Sequence, residues 1–105
     1  YLAEPRYELV VALEGDLVVG MVTGFTYFHP DKIDEFYINE CGVGDDYLRR
    51  GIATKMMEMM FARAKTLGCE YCWLGTELDN VEANALYNKL GGEVSKMNFF
   101  EFEWD

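Results

Sequence analysis

A strand-like segment, Glu35–Val43, runs through a loop rich in Gly, Asp and Arg straight into a helix. That change of rhythm limits the chain more than any other feature. Over residues 52–67 the apolar side chains Ile52, Met56, Met59, Met60, Ala64 and Leu67 follow helical spacing, and Gly68 stops the helix where glycine is favoured. The four methionines at 56, 57, 59 and 60 read as core filling.

The flanking segments complete the pattern. Residues 7–13 and 17–28 read as a hairpin with turn chemistry at Glu14-Gly15-Asp16. "HPDKID" is a loop punctuated by Pro30, and His29 within it has no evident partner. "EYCWLGTE" is a fourth strand. "NVEANALYNKLGG" is a second helix, with Asn80 or Asp79 as N-cap and Gly91-Gly92 after its end. "EVSKMNFFEFEW" alternates at its end and predicts a closing strand. The order is β-β-β-α-β-α-β. Two helices crossing between neighbouring strands make an α/β (α+β) fold with a mixed sheet. No repeat, low-complexity tract or linker interrupts it, so residues 1–105 read as a single domain. The first residue is Tyr1, not Met, which reads as a processed, trimmed or partial chain.

Composition narrows the function. With 50% hydrophobic residues and 15% aromatics, the 105-residue chain can bury a core. Its longest apolar stretch, Leu17–Met21, is far short of the ~20 residues a membrane span needs. No secretory signal is evident, and an odd count of three cysteines favours reduced thiols in the cytoplasm. Cys69 and Cys72 are spaced C-x-x-C, but on a strand they point to opposite faces, so no metal is expected. A net charge of −10 argues against nucleic acid, which needs an extended basic surface, and suits a cationic ligand or simple solubility. Yet five of the nine basic residues, Arg49, Arg50, Lys55, Arg63 and Lys65, fall between positions 49 and 65.

That basic island coincides with the helix start in "DDYLRRGIATKMMEMM". A helix start leaves about four backbone N–H groups unpaired and carries partial positive charge. An anion such as phosphate fits there. Gly51 lets the backbone approach closely, Ala53 keeps the next position small, and Arg49 and Arg50 add charge. The competing reading is a plain turn with solvated arginines.

Context favours the anion. The whole resembles the GNAT superfamily of acetyl-CoA-dependent N-acetyltransferases, over about Tyr7 to Trp104. Their Q/R-x-x-G-x-G/A motif appears here as Leu48-Arg49-Arg50-Gly51-Ile52-Ala53, departing at Leu48. A second family mark appears as Asn80, Ala83, Leu86-Tyr87 and Gly91, without the aromatic that often follows the glycine. Within the superfamily, "YINECGVGDDYLRRGIATKMM" and "NALYNKLGGEVSKMNFFEFEWD" look most like the aminoglycoside 3-N-acetyltransferases. The strand and two helices that usually open a GNAT domain have no counterpart before Tyr7.

The resemblance implies a site. Acetyl-CoA would lie against Cys41, Gly42 and Val43 of the strand and Arg49, Arg50, Gly51, Ile52, Ala53 and Thr54 of the loop and helix start. It would also meet Asn80, Ala83 and Tyr87 of the second helix. Backbone N–H groups near Cys41 and Val43, where the strand splays, would hold the pantetheine arm and the oxyanion. Glu40 would be the base that deprotonates the acceptor amine, and Tyr87 would protonate the departing thiolate. The alternatives are a structural strand carboxylate and a packing aromatic. Cys41 is not expected to act as a covalent nucleophile. Glu40, Glu77, Asp79, Glu101 and Glu103 lie at or near strands that would border the acceptor mouth. The expected acceptor is a cationic small-molecule amine, foremost the 3-amino group of an aminoglycoside antibiotic. Rival readings are a polyamine, another small amine or a protein amine, and a catalytically silent acyl-CoA-binding module. A homodimer is compatible with all of them.

Overall fold

Gly15 and Asp16 close a two-residue loop between strand β1 (Tyr7–Glu14) and strand β2 (Leu17–Tyr27), which pair antiparallel from Tyr7↔Phe25 to Glu14↔Leu17. This computed structural model describes residues 7–27 and 34–104; His29, Pro30 and the rest of the "HPDKID" loop up to Ile33 lie outside the described residues. Strand β3 (Glu35–Val43) pairs antiparallel with β2, and β4 (Tyr71–Trp73) pairs parallel with β3, giving the order β1-β2-β3-β4. Helix α1 (Ile52–Thr66) connects β3 to β4, and α2 (Val81–Lys89) follows β4. The mixed sheet and the two helices are those the sequence predicts.

Helix α1 packs on one face of the sheet. Met56, Met57, Met60 and Ala64 are buried there with Val22, Phe36, Ile38 and Cys69. Met59 is 57% exposed, against the expectation that all four methionines fill the core. At about 100° per residue it falls off the stripe that Met56, Met57, Met60 and Ala64 share. The helix ends as expected: the Gly68 N–H donates to the Lys65 carbonyl and the Cys69 N–H to that of Ala64, with Gly68 at φ 89°. Arg63 ties the helix to β1 through Glu8, at 2.6 Å.

The other face carries a row of rings. Tyr7, Phe25, Tyr37 and Trp73 are register partners on four successive strands. Their centroids lie 5.3, 5.4 and 4.5 Å apart, in the edge-on and tilted arrangements aromatic quadrupoles prefer. The row ends on Trp73, the last residue of β4, and so pins the point at which β3 and β4 part.

Three expectations are corrected. The fourth strand is three residues, not the eight of "EYCWLGTE", because the chain leaves β3 after Trp73. As the strand begins only at Tyr71, alternation does not govern Cys69: Cys69 and Cys72 both pack toward the core under α1. Burial pushes the Cys72 thiol up to about 11, helped by the neighbouring Cys69. Finally, residues 93–104 form no strand. Phe99, Phe100, Phe102 and Trp104 are 75–87% exposed. Alternation prepares a segment for a sheet, but only a ladder of hydrogen bonds makes it a strand, and this segment pairs with no other among the described residues.

Gly24 marks the tightest contact between sheet and core. A Cβ built there would stand 2.5 Å from the fully buried Phe36 ring and 2.8 Å from the Tyr37 carbonyl oxygen. Neither neighbour is free to move. Gly24→Ala is therefore expected to cost about 1–3 kcal/mol, the usual penalty of overpacking. A lowered midpoint in urea unfolding checks this; an unchanged midpoint contradicts it.

Candidate active site

The pairing of β3 with β4 ends at Tyr37↔Trp73, yet β3 runs on to Val43. The two strands therefore diverge. Between them lies an opening of about 570 Å³, lined by Ile38–Gly42 of β3, Leu74–Thr76 beyond β4, Asn80, Ala83 and Tyr87 at α2, and Val18–Met21 of β2.

A bulge in β3 decides what faces this opening. Ile38 pairs with Gly24 and Glu40 with Thr23, leaving Asn39 as the extra residue. Strict alternation would put Ile38 and Glu40 on one face. The bulge moves Glu40 to the face opposite α1 and places Cys41, partner of Val22, on the α1 side with Ile38. The Gly44 N–H donates to the Val19 carbonyl and so faces β2. Alternation along the extended chain turns the N–H groups of Cys41 and Val43 to the other edge, where β4 does not reach.

Helix α2 forms the opposite wall. Asn80 is its N-cap, accepting from the Ala83 N–H at 3.1 Å, which settles the choice between Asn80 and Asp79. The Gly92 N–H donates to the Tyr87 carbonyl at 3.0 Å beyond the helix end. Tyr87 lines the opening together with Cys41 of β3. Burial, then the neighbouring Cys41, push the Tyr87 phenol up to about 12, so it carries its proton throughout the neutral range. Burial likewise raises the Cys41 thiol, partly offset by the Tyr87 hydroxyl. A thiol so held is a poor nucleophile.

The basic loop lies past the end of β3, outside the lining of the opening. A short 3₁₀ turn, Asp45–Tyr47, leads to Arg49 at φ 63° and Gly51 at φ 77°. Two left-handed residues so close together turn the chain sharply into α1, and a side chain at the second would be strained. The first helical bond is from the Lys55 N–H to the Gly51 carbonyl at 3.1 Å, and no side chain caps the helix. The amides of Ile52, Ala53 and Thr54 thus open the helix without an acceptor in its own turns. The Arg50 guanidinium sits 5.0 Å from the centre of the Tyr47 ring. The Glu14 carboxylate pushes the Tyr47 phenol above its ordinary value.

Of the sequence-derived candidates, the structure brings Glu40, Cys41, Gly42, Asn80, Ala83 and Tyr87 together around the opening. Val43 and Arg49–Thr54 continue from its edge. Glu77 and Asp79 lie between Thr76 and Asn80 without lining it, and Glu101 and Glu103 sit on the exposed C-terminal segment. Sequence reasoning missed the β2 wall and Leu74-Gly75-Thr76. Gly75 was the available signal, since glycine within a strand pattern marks a break or a close approach. Among the described residues no cluster of three His, Cys, Asp or Glu could hold a metal.

Comparison with known proteins gives this geometry its context. The chain is 32% identical over 81 residues to N-alpha-acetyltransferase 30 of Schizosaccharomyces pombe; the match takes in 77% of the chain but only 54% of the relative's length, so the chain spans about half of that curated relative. An aminoglycoside acetyltransferase from an uncultured soil metagenomic sample superposes with a TM-score of 0.88 at 25% identity, over 99% of this chain and 70% of that one. The aminoglycoside N-acetyltransferase AAC(6')-Iy, solved in complex with CoA, shares the fold with a TM-score of 0.87 at 16% identity, over 99% of this chain and 81% of its own. The sequence profile of the acetyltransferase (GNAT) family matches residues 1–92, the part of the chain that holds the diverging strands, the uncapped helix start and the α2 wall, and the chain belongs to that family.

Proposed function

We propose that the protein transfers the acetyl group of acetyl-CoA to an amine of a cationic small molecule, foremost the 3-amino group of an aminoglycoside. One observation carries the reading: the opening between β3 and β4 has free backbone edge and Tyr87 on its walls and leads toward an uncapped, basic helix start. The pyrophosphate would take the amides of Ile52–Thr54 with Arg49 and Arg50 nearby, and the pantetheine arm would add to the free edge of β3 as a missing strand would. We place the reaction in the cytoplasm, in keeping with the free state of Cys41, Cys69 and Cys72.

The proposed chemistry uses groups that line the opening or continue from its edge. The acceptor amine, mostly protonated at neutral pH, gives up a proton to Glu40 directly or through water. Its nitrogen attacks the thioester carbonyl carbon, forming C–N. The N–H groups of Cys41 and Val43 face the developing oxyanion. Collapse breaks C–S, the Tyr87 hydroxyl protonates the departing sulfur, and the second proton that the nitrogen sheds on becoming the amide restores the Tyr87 phenol, directly or through water. A phenol held protonated by burial is suited to that task.

Charge supports a cationic acceptor. The chain carries −10 overall, while its bases concentrate near the helix start. Glu40 at the opening, and Glu77 and Asp79 just beyond it, leave the acceptor end acidic. The identity with N-alpha-acetyltransferase 30 supports a second reading, a protein amine.

Two outcomes are expected. Glu40→Gln should lower turnover by about 10²–10⁴-fold, the usual contribution of a placed acid–base group, while CoA affinity stays close to wild type. Wild-type turnover across the pH range would return Glu40 to a structural role. Offered acetyl-CoA and a panel of amines, the protein should acetylate a 2-deoxystreptamine antibiotic at the 3-amino group, read by mass spectrometry and NMR of the product. The apparent affinity should weaken as salt screens the acidic surface. Acetylation at another ring position would move the regiochemistry. Turnover of spermidine or of a peptide N-terminus, with none on the antibiotic, would remove the antibiotic and leave the amine reading.

A further inference from the structure

Most of the ten glycines are explained by the fold. Gly15, Gly51, Gly68 and Gly91 have positive φ, and at Gly20, Gly24 and Gly92 an added Cβ would stand 2.9, 2.5 and 3.1 Å from a neighbouring atom. The others, Gly42, Gly44 and Gly75, are under neither constraint, and all of them line the opening. Gly42 is the sharpest case. It lies inside strand β3, where glycine costs stability and a β-branched residue is favoured. Yet a Cβ built there would meet nothing within 4 Å. The fold does not call for a missing side chain at this position. The opening does, because a glycine within a strand often marks the place where another molecule comes close.

Register shows which molecule that is. Thr23↔Glu40, Val22↔Cys41 and Met21↔Gly42 are successive pairs, so position 42 shares the face of Glu40, opposite α1, while Cys41 takes the other. Position 42 therefore flanks the proposed base, two residues or about 7 Å along the strand. The pantetheine arm, on the reading above, takes the backbone edge of β3 and not this face. We propose that the bare backbone at Gly42 seats the carbon skeleton of the acceptor and admits amines borne on a ring carbon. The proposal rests on the reading above, in which Glu40 receives the proton of the amine. An amine ending an unbranched chain reaches a carboxylate through a single file of CH₂ groups. A ring carbon brings a substituent to either side of the nitrogen, and with the nitrogen at Glu40 one of the two falls over residue 42. A side chain there would fill that space. Met21, the register partner of Gly42, is 37% exposed and also lines the opening, and its unbranched thioether can adapt to the edge of a ring. Charge does not separate a linear polyamine from an aminocyclitol, since both are polycations. Width at residue 42 does.

The test compares 2-deoxystreptamine, whose amines sit on ring carbons, with spermidine, whose terminal amines end unbranched chains. With acetyl-CoA as donor, wild-type kcat/KM should be higher for 2-deoxystreptamine. Gly42→Val should lower the ratio of the two values by about tenfold or more, the usual effect of a methylene or two in a shaped pocket, with Gly42→Ala in between. A wild type that favours spermidine, or an equal loss on both amines, overturns the proposal. The urea midpoint of Gly42→Val should be no lower than that of the wild type. A lowered midpoint returns the glycine to the fold, and an acetyl-CoA affinity that falls in step with turnover assigns the space to the donor; either result overturns the proposal. A second readout needs no turnover. Calorimetric titration of 2-deoxystreptamine into the protein, without acetyl donor, should show binding about tenfold weaker in Gly42→Val. Equal affinity in the two, or no binding to the wild type, overturns the seat. Absence of turnover on either amine in the wild type, with that difference in binding present, would instead overturn the acetyltransferase reading and leave the seat standing.

Discussion

Parallel pairing between β3 and β4 lasts for three residues and then stops. The site depends on that short ladder. Had the strands stayed together to Val43, the N–H groups of Cys41 and Val43 would be spent on β4 and no cleft would open. Had they never met, nothing would fix α2 opposite β3. The Tyr37–Trp73 ring contact sits at the last pair and closes an aromatic row that begins on β1, so the place of separation is held by side chains spread over the whole sheet.

The other face supplies the stability that an opened sheet lacks. Phe36 and Val22 are fully buried beneath Met57 and Met60, and Met56 lies beside them. Methionine is unbranched and adapts its shape, so it fills the uneven surface where β2 and β3 twist and bulge. The same packing fixes the direction of α1. Its uncapped start is thereby set at the end of β3, next in the chain to the strand edge that the opening exposes. A partial positive charge and a free strand edge, at a fixed spacing, are the features on which the proposed acyl-CoA site rests.

Much of this was legible in the residues. Helical spacing from Ile52, the glycine stop at Gly68 and the Gly51 turn gave α1 and its loop almost to the residue, because each rests on local backbone chemistry. The Asn80 cap is of the same kind. What escaped the sequence depends on partners. Alternation in "NFFEFEW" suggested a strand but could not supply a neighbour, and the segment is unpaired with its aromatic side chains exposed. The length of β4 is set by where its backbone leaves β3, which no residue type declares, although Gly75 hinted at it. The β3 bulge was invisible for the same reason: "INEC" has no composition that announces an extra residue, yet it decides that Glu40 and Cys41 face opposite sides.

The proposed acyl-CoA site is the helix start beside the strand gap. Isothermal titration of acetyl-CoA into the protein and into Gly51→Glu tests it most directly, with circular dichroism to show that both are equally folded. A glutamate at that turn places bulk and negative charge against the amides of Ile52–Thr54. One-to-one binding to the native sequence and no measurable binding to Gly51→Glu are expected; equal affinity in the two would rule this site out.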